Sequence, residues 1–302
     1  MKKRPVTDIT KTIMNSKSFY KKILVSNAWK KSVFALALLT CLYAFSPTEL
    51  QAPAHNICDI DNTSFQAGEE IVYSVYYNWN FVWLSAGEVT FKVTDEYNQH
   101  HLSAKGRTYA SYEWFYKVRD NYDTYLDKES LLPNISIRDV SEGGYRVYDK
   151  VTFDQKSGKA VSLRGRSVTE AVKKDFYINS CMHDMLSVVY HIRNINYQQM
   201  TKGQEIPIKV FLDREVYPLK VKYWGKEQKQ IHGLGKFNTV KVSPQVVSGG
   251  VFKEGTEMKV WATDDGNRIP LLIESPVSVG SVKVVLKSYK GLRHPFTSKV
   301  TK

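Results

Sequence analysis

Cysteine is scarce in this chain, three residues in 302, which is too few for a small domain stapled together by disulfides. Glycine and proline are also sparse, 17 and 10 residues, and that excludes a collagen-like or low-complexity chain. No apolar run reaches the ~20 residues that a membrane-crossing helix needs. The chain contains no G-x-S-x-G elbow, no P-loop and no dinucleotide-binding glycine fingerprint, so those enzyme classes lose their sequence support. Histidines are scattered at 55, 100, 101, 183, 191, 232 and 294; only His183 and His191, eight apart, approach a shared helix face, and zinc catalysis is not expected. What is present is 42% hydrophobic, 13% aromatic and 24% charged residues, ordinary proportions for a protein that buries a core.

The formal charge of +13 suggests an anionic partner until its position is considered. Residues 1–54 hold nine Lys or Arg against Asp8 and Glu49, a net +7 that leaves +6 for the rest. Within this segment Lys30 and Lys31 precede an apolar run from Val33 to Phe45, followed by Ala52-Pro53-Ala54. A basic stretch, a short apolar run and a small-x-small triplet are the parts of a cleaved export signal, with cleavage before His55. Cleavage after Ala52 would place Pro53 next to the scissile bond, and Thr40 before Cys41 argues against a lipoprotein. Met14 offers an alternative translation start. The sequence therefore divides into a signal peptide with a long basic n-region, 1–54, and a mature chain, 55–302. The mature protein is expected to be exported, in the periplasm or associated with the outer membrane. Export excludes nucleic acid as a partner.

The mature chain keeps Cys58 and Cys181, and an oxidising compartment favours a disulfide between them. The rival is a catalytic Cys181 in the first turn of a helix, followed closely by His183 and Asp184. Residues two apart on a helix point to different sides, so Cys181 and His183 make a poor nucleophile-base pair.

From Ile71 to Trp83 the odd positions Ile71, Tyr73, Val75, Tyr77, Trp79, Phe81 and Trp83 are all apolar, a period of two that means strand. Asn78 and Asn80 mark a bend or turn within it. Val89, Phe91 and Val93 alternate with Glu88, Thr90, Lys92 and Thr94, a half-wet antiparallel strand. Further extended segments cover 101–109, 121–126, 134–140, 145–153, 161–163, 206–212, 217–224, 236–242, 256–263, 269–273 and 280–289. Gly143-Gly144, Ser157-Gly158 and Asp265-Gly266 are turn dipeptides. One helix is expected over about 181–195, where apolar residues recur at three and four, with Asn179 or Ser180 as cap. The fold class is all-β: curved antiparallel sheets in a barrel-like or clam-like single domain with one α-helix, the wet-sided strands curling to bury their other face.

Four strings carry a resemblance: Phe65-Gln-Ala-Gly-Glu-Glu-Ile-Val-Tyr73, Ser85-Ala-Gly-Glu88, Val118-Arg-Asp-Asn-Tyr122 and Trp261-Ala-Thr-Asp-Asp-Gly-Asn-Arg-Ile-Pro270. Together they resemble the domain-of-unknown-function 3108 family of exported bacterial proteins, in the form typical of Bacteroides relatives. The resemblance spans about Asn62 to Leu292. It implies a β-rich, signal-bearing envelope protein, and supplies no activity, ligand or catalytic residue.

Candidate chemistry is thin. Asp59-Ile-Asp61-Asn62 and Asp264-Asp265-Gly266-Asn267 offer clustered oxygens, but neither has the full calcium-loop spacing, and Asp-Gly between strands is first a turn. Glu69 with Glu70, or Asp120 with Asp123, are carboxylate pairs of the kind any large β protein carries. Arg164-Gly-Arg166 and Lys173-Lys174 form a basic patch of the kind that is usually a solvated face. No catalytic residue, metal or cofactor is expected. The rings Tyr112, Trp114, Phe115 and Tyr116 beside Arg107, Lys117 and Arg119 read first as ordinary sheet packing, and as a site they suit glycan or lipid headgroups. The reading is a non-enzymatic envelope protein that binds a lipid or glycolipid among inward-facing rings of a curved sheet, with Tyr73, Tyr77, Trp79, Trp83, Trp114, Arg107 and Arg119 as contacts. The alternatives are an assembly factor binding another envelope protein and, further off, a hydrolase.

Overall fold

The computed structural model describes residues 58, 60–79, 82–247 and 256–301. The expected leader and its expected cleavage site lie outside them, as do Asp59, Asn80 and Phe81. Among the described residues fifteen strands form: β1 Glu70–Trp79, β2 Val82–Glu96, β3 Gln99–Thr108, β4 Val118–Asp127, β5 Pro133–Glu142, β6 Tyr145–Asp154, β7 Lys159–Gly165 and β8 Val172–Tyr177 make the first half. The second half is β9 Met182–His183, β10 Glu205–Leu212, β11 Glu215–Ile231, β12 Gly235–Pro244, β13 Lys259–Thr263, β14 Pro270–Pro276 and β15 Ser281–Lys290. Among the described residues one α-helix, α1, spans Met185–Asn194.

All fifteen strands belong to one sheet in the order 8-7-6-5-4-3-2-1-15-14-13-12-11-10-9. Two antiparallel meanders are thus joined through the first and last strands, β1 and β15. Only β9 runs parallel to its neighbour, β10. Twist carries the two flanks around until they meet. Phe211 of β10 packs edge-on against Phe153 of β6 and Phe176 of β8 at 6.1 and 5.3 Å between ring centres. Asp213, in the β10–β11 turn, takes Arg138 of β5 at 3.0 Å and also Arg164 of β7. The all-β, curved, one-helix architecture expected from the period-two pattern is the one found, as a single open sheet.

The helix begins later than its apolar spacing suggests. Cys181 has a left-handed backbone (φ 62°), Met182 and His183 pair with β10, and Asp184 is the cap. Its carboxylate accepts from the Leu186 and Ser187 amides, while the Ser187 hydroxyl bonds the Asp184 amide in return, a capping box. Neither Asn179 nor Ser180 caps it. Cys181 lies outside the helix and is disulfide-bonded to Cys58, with Cα atoms 5.2 Å apart, so the pairing stands and the dipole-activated thiol does not.

The helix fills the curl. Leu186 and Tyr190 join Phe65, Val93, Leu102 and Leu126 from one flank, whereas Val188, Ile192 and Ile195 pack with Ile206, Val210, Tyr223 and Val260 from the other. A third cluster centres on Tyr73, Trp261, Leu271 and Leu286. Tyr73 is therefore a core residue, packed edge-on against Phe91 at 5.7 Å between ring centres.

Candidate functional site

Meandering brings the connections β1–β2, β3–β4, β5–β6, β7–β8 and β14–β15 to one end of the sheet. Fourteen large apolar side chains are exposed among the described residues, and nine of them lie at these five connections. They are Val82 and Trp83 after the first turn, Trp114, Phe115 and Tyr116 on the β3–β4 loop, Tyr145, Val168, Val172 and Val279. Scattered surface apolar residues need no explanation; a concentration at one rim does.

The β3–β4 loop presents its rings by local turns. The amides of Tyr112 and Glu113 reach back to the Tyr109 carbonyl, those of Phe115 and Tyr116 to the Tyr112 carbonyl, and the Thr108 hydroxyl closes the base on the Val118 amide. Trp114 is left 81% exposed at the tip. Between the loop and β2 lies an open, largely apolar depression of about 310 Å³, lined by Leu84, Ser85, Ser111, Tyr112, Trp114 and Phe115. Tyr77 adjoins it, its ring 6.4 Å from Phe115 and its hydroxyl bonded to the Val279 carbonyl at 2.7 Å.

Behind the rim, on the outer face, the strand register sets Glu88, Arg107, Arg119, Ser141 and Arg146 side by side across β2 to β6. Cross-strand partners share a face, so Arg107 and Arg119 are direct neighbours, a like-charge pairing that costs stability unless something offsets it. Glu113 accepts from Arg119 and lies 3.6 Å from Lys117, and these two cations hold its carboxyl below the usual range. Among the described residues no carboxylate lies within ion-pair distance of Arg107 or Arg146. An open groove of about 410 Å³ runs here, lined by Lys117, Arg119, Asn121, Asp139, Ser141, Gly143 and Arg146. Gly143 has φ +57° and lies under the Tyr116 ring, where a Cβ would sit 3.1 Å from Cε2. Rim and groove are contiguous through that contact.

The seven residues expected as contacts do not form one site. Tyr73 is buried in the core. Trp79 ends β1, where its backbone pairs with Val82. The turn reverses the chain, so Trp83 pairs with Asn78 while Leu84 pairs with Tyr77; Trp83 is on the face opposite Tyr77, under the Lys283 ammonium at 4.4 Å. The odd-position stripe breaks there because a turn resets the alternation. Tyr77 and Trp114 belong to the rim, and Arg107 and Arg119 to the row behind it.

Of two interior polar clusters, the sequence points to His183 with His191 but not to Arg193 with Glu69. Arg193 on α1 is buried with Glu69, and His183 lies 4.5 Å, ring to ring, from His191. Arg193 recurs at helical spacing with apolar residues, which was the available signal that it points inward. Among the described residues no group of three or more His, Cys, Asp or Glu could hold a metal ion. Asp265 instead accepts from Thr263, Asn267 and Arg268 of its own turn and from Thr297 and Ser298 of the C-terminal segment.

The family model described as "Protein of unknown function (DUF3108)" matches residues 72–287. The chain belongs to the DUF3108 family. Its likeness to solved structures extends beyond that family: a β-barrel-like protein of the DUF1849 family from Brucella abortus aligns at a TM-score of 0.52 and 10% identity, over 76% of this chain and 98% of that one. A Bacteroides fragilis protein with a YmcC-like fold aligns at a TM-score of 0.29 and 11% identity, over 77% of this chain and 100% of that one. No curated protein matches the DUF3108 chain. The likeness to the Brucella protein shows a shared curved all-β fold and assigns no activity.

Proposed function

We propose that this DUF3108 protein acts outside the cytoplasm, without catalysis, by attaching to an amphipathic lipid or glycolipid surface of the cell envelope through its aromatic rim. The observation that carries this reading is the concentration of exposed apolar side chains at one end of the sheet, with Trp114 at the tip of a loop whose turns hold it away from the core. Rings at the level of the interface and cations behind them match the layering of a bilayer surface. Burying Trp114 contributes roughly 3 kcal/mol before the costs of association. The basic leader followed by its apolar run and the Cys58–Cys181 disulfide are in keeping with export.

Flotation of the purified protein with phosphatidylcholine vesicles tests it. The protein is expected to rise with the vesicles, with a blue shift in tryptophan fluorescence, and W114A/F115A is expected to partition at least ten-fold less. A wild-type protein that stays at the bottom of the gradient ends the reading. Docking on another envelope protein by strand addition is the second reading, favoured by β8, which closes the sheet order with Val172 and Tyr177 exposed. Crosslinking in cells that gives one dominant protein adduct through β8 supports it instead.

A further inference from the structure

We propose that the groove behind the rim is a headgroup site, selecting lipids whose headgroups carry phosphate without a compensating cation. The inference rests on the lipid-surface reading and names what that surface must bear. Arg107, Arg119 and Arg146 stand in one register line across β3, β4 and β6. Strands lie about 4.8 Å apart, so the line is roughly 14 Å long and offers guanidinium forks to more than one anionic group.

Three features distinguish this row from an ordinary solvated face. Arginines directly opposite on β3 and β4 repel each other, and Glu113, the one acid that pairs with Arg119 among the described residues, is shared with Lys117. On the β2 and β15 part of that outer face the cations are matched, with Lys92 and Lys290 sharing Glu70, Lys283 pairing with Glu274 and Lys287 with Glu88, whereas across β3 to β6 Lys105 and Lys150, like Arg107 and Arg146, have no ion pair among the described residues. Glu88 is thereby engaged on the side away from Arg107, its register partner. Third, the row begins only one or two residues inside the connections that carry the rings. Arg107 is next to last in β3, and Arg119 and Arg146 are second in β4 and β6. A rim inserted among acyl chains would set these three side chains at the depth of the phosphates.

Zwitterionic and anionic lipids both contain phosphate, but only the anionic ones leave its charge uncompensated at the surface. Selection should therefore appear as a preference for phosphatidylglycerol over phosphatidylcholine that salt weakens.

The test is vesicle binding by wild type, R107Q/R146Q and W114A/F115A. Each is assayed on phosphatidylcholine alone and on an equal mixture with phosphatidylglycerol. Arg107 and Arg146 make no ion pair among the described residues, so their replacement leaves the fold in place, which thermal melting verifies. One surface cation near an anionic membrane is worth about 1 kcal/mol, close to a five-fold change, so R107Q/R146Q should lose about 25-fold on the mixture and little on phosphatidylcholine. Equal affinity of wild type for both vesicles, or an equal loss by R107Q/R146Q on both, overturns the headgroup site while leaving the rim reading intact. No vesicle binding at all overturns the rim reading itself. Inorganic pyrophosphate supplies the remaining arm. Saturable binding that is abolished by R107Q/R146Q and survives W114A/F115A, together with equal affinity for the two vesicles, assigns the groove to a soluble phosphate and overturns the lipid source.

Discussion

Glu69 and Arg193, 124 residues apart in sequence, form a two-pronged ion pair in the interior, with Nη1 2.7 Å from Oε1 and Nη2 2.8 Å from Oε2. Their side chains are 1% and 4% exposed. Arg193 also donates to the Asn267 and Ser64 carbonyls, stacks over Tyr190 at 5.1 Å, and receives Arg268 on its own carbonyl. Burial opposes the guanidinium charge, but Glu69 outweighs it and holds the Arg193 pKa above its ordinary value. Removing one partner strands the other in the core. R193A is expected to cost about 3–5 kcal/mol in urea unfolding, whereas E69L/R193M, which replaces both by apolar side chains, should recover much of that loss. A double variant that loses the sum of the R193M and E69L single losses would mean that the pair is not coupled.

The strings behind the family resemblance acquire physical meaning at two such meeting points. Phe65 to Tyr73 and Trp261 to Pro270 converge on Arg193, through Glu69 and Asn267. Ser85 to Glu88 and Val118 to Tyr122 converge on the arginine row, through Glu88, Arg107 and Arg119. Gly87 belongs there because a Cβ would lie 2.3 Å from the Arg107 carbonyl oxygen. The period-two strands, the turn dipeptides and the helix were legible because each is written in local alternation. The β1–β15 closure was not, since nothing local encodes which strands meet after more than two hundred residues. Nor was β8, whose Val-Lys-Lys-Asp-Phe-Tyr is almost wholly exposed and so shows no buried stripe. The rim is half legible: its rings stand close together in the sequence, but their clustering depends on which connections the meander stacks at one end.

Cys58 and Cys181 enclose 122 residues and tie the start of the described chain to the approach to α1. The chain-entropy model assigns such a loop roughly 4–5 kcal/mol, less any native strain. C58S/C181S should melt well below wild type in non-reducing buffer and coincide with wild type once reductant is added. Retention of the full melting temperature in the variant would contradict a stabilising bridge.

His183 and His191 are both buried, and burial lowers both imidazoles, His191 to about 4. The unfolded chain protonates them near the ordinary 6.5. Above that value neither state binds the proton and the native state keeps its full stability. As pH falls from about 6.5 toward 4 the unfolded state gains protons that the native state refuses, and stability is lost, up to about 3 kcal/mol through His191. The Ser187 hydroxyl lies 3.2 Å from His183 Nδ1, so H191F is the cleaner probe. Its unfolding free energy should fall less steeply than that of wild type over this window. Parallel slopes would exclude His191 as the source.

Asp120 runs in the opposite direction. It is buried on the inner side of β4, directly beneath the arginine row, and accepts the Ser141 amide at 3.1 Å. Burial, and then the neighbouring Glu142 carboxylate, push its pKa up to about 7. The native state therefore retains a proton that the unfolded state releases near 4. Its contribution is complete below that value, declines as pH rises toward 7, and is absent above it. D120N, which keeps the Ser141 acceptor without the charge, should be more stable than wild type by about 1–2 kcal/mol at pH 8, and the difference should vanish below pH 4. The consequence reaches the rim, because Tyr116 senses both carboxylates and their charge raises its phenol pKa after burial. Ionisation of Asp120 near neutrality adds negative charge under the groove and should weaken anionic-vesicle binding between pH 6 and 8 in wild type. D120N should bind equally at both, and a pH dependence that persists in D120N would place the titrating group elsewhere.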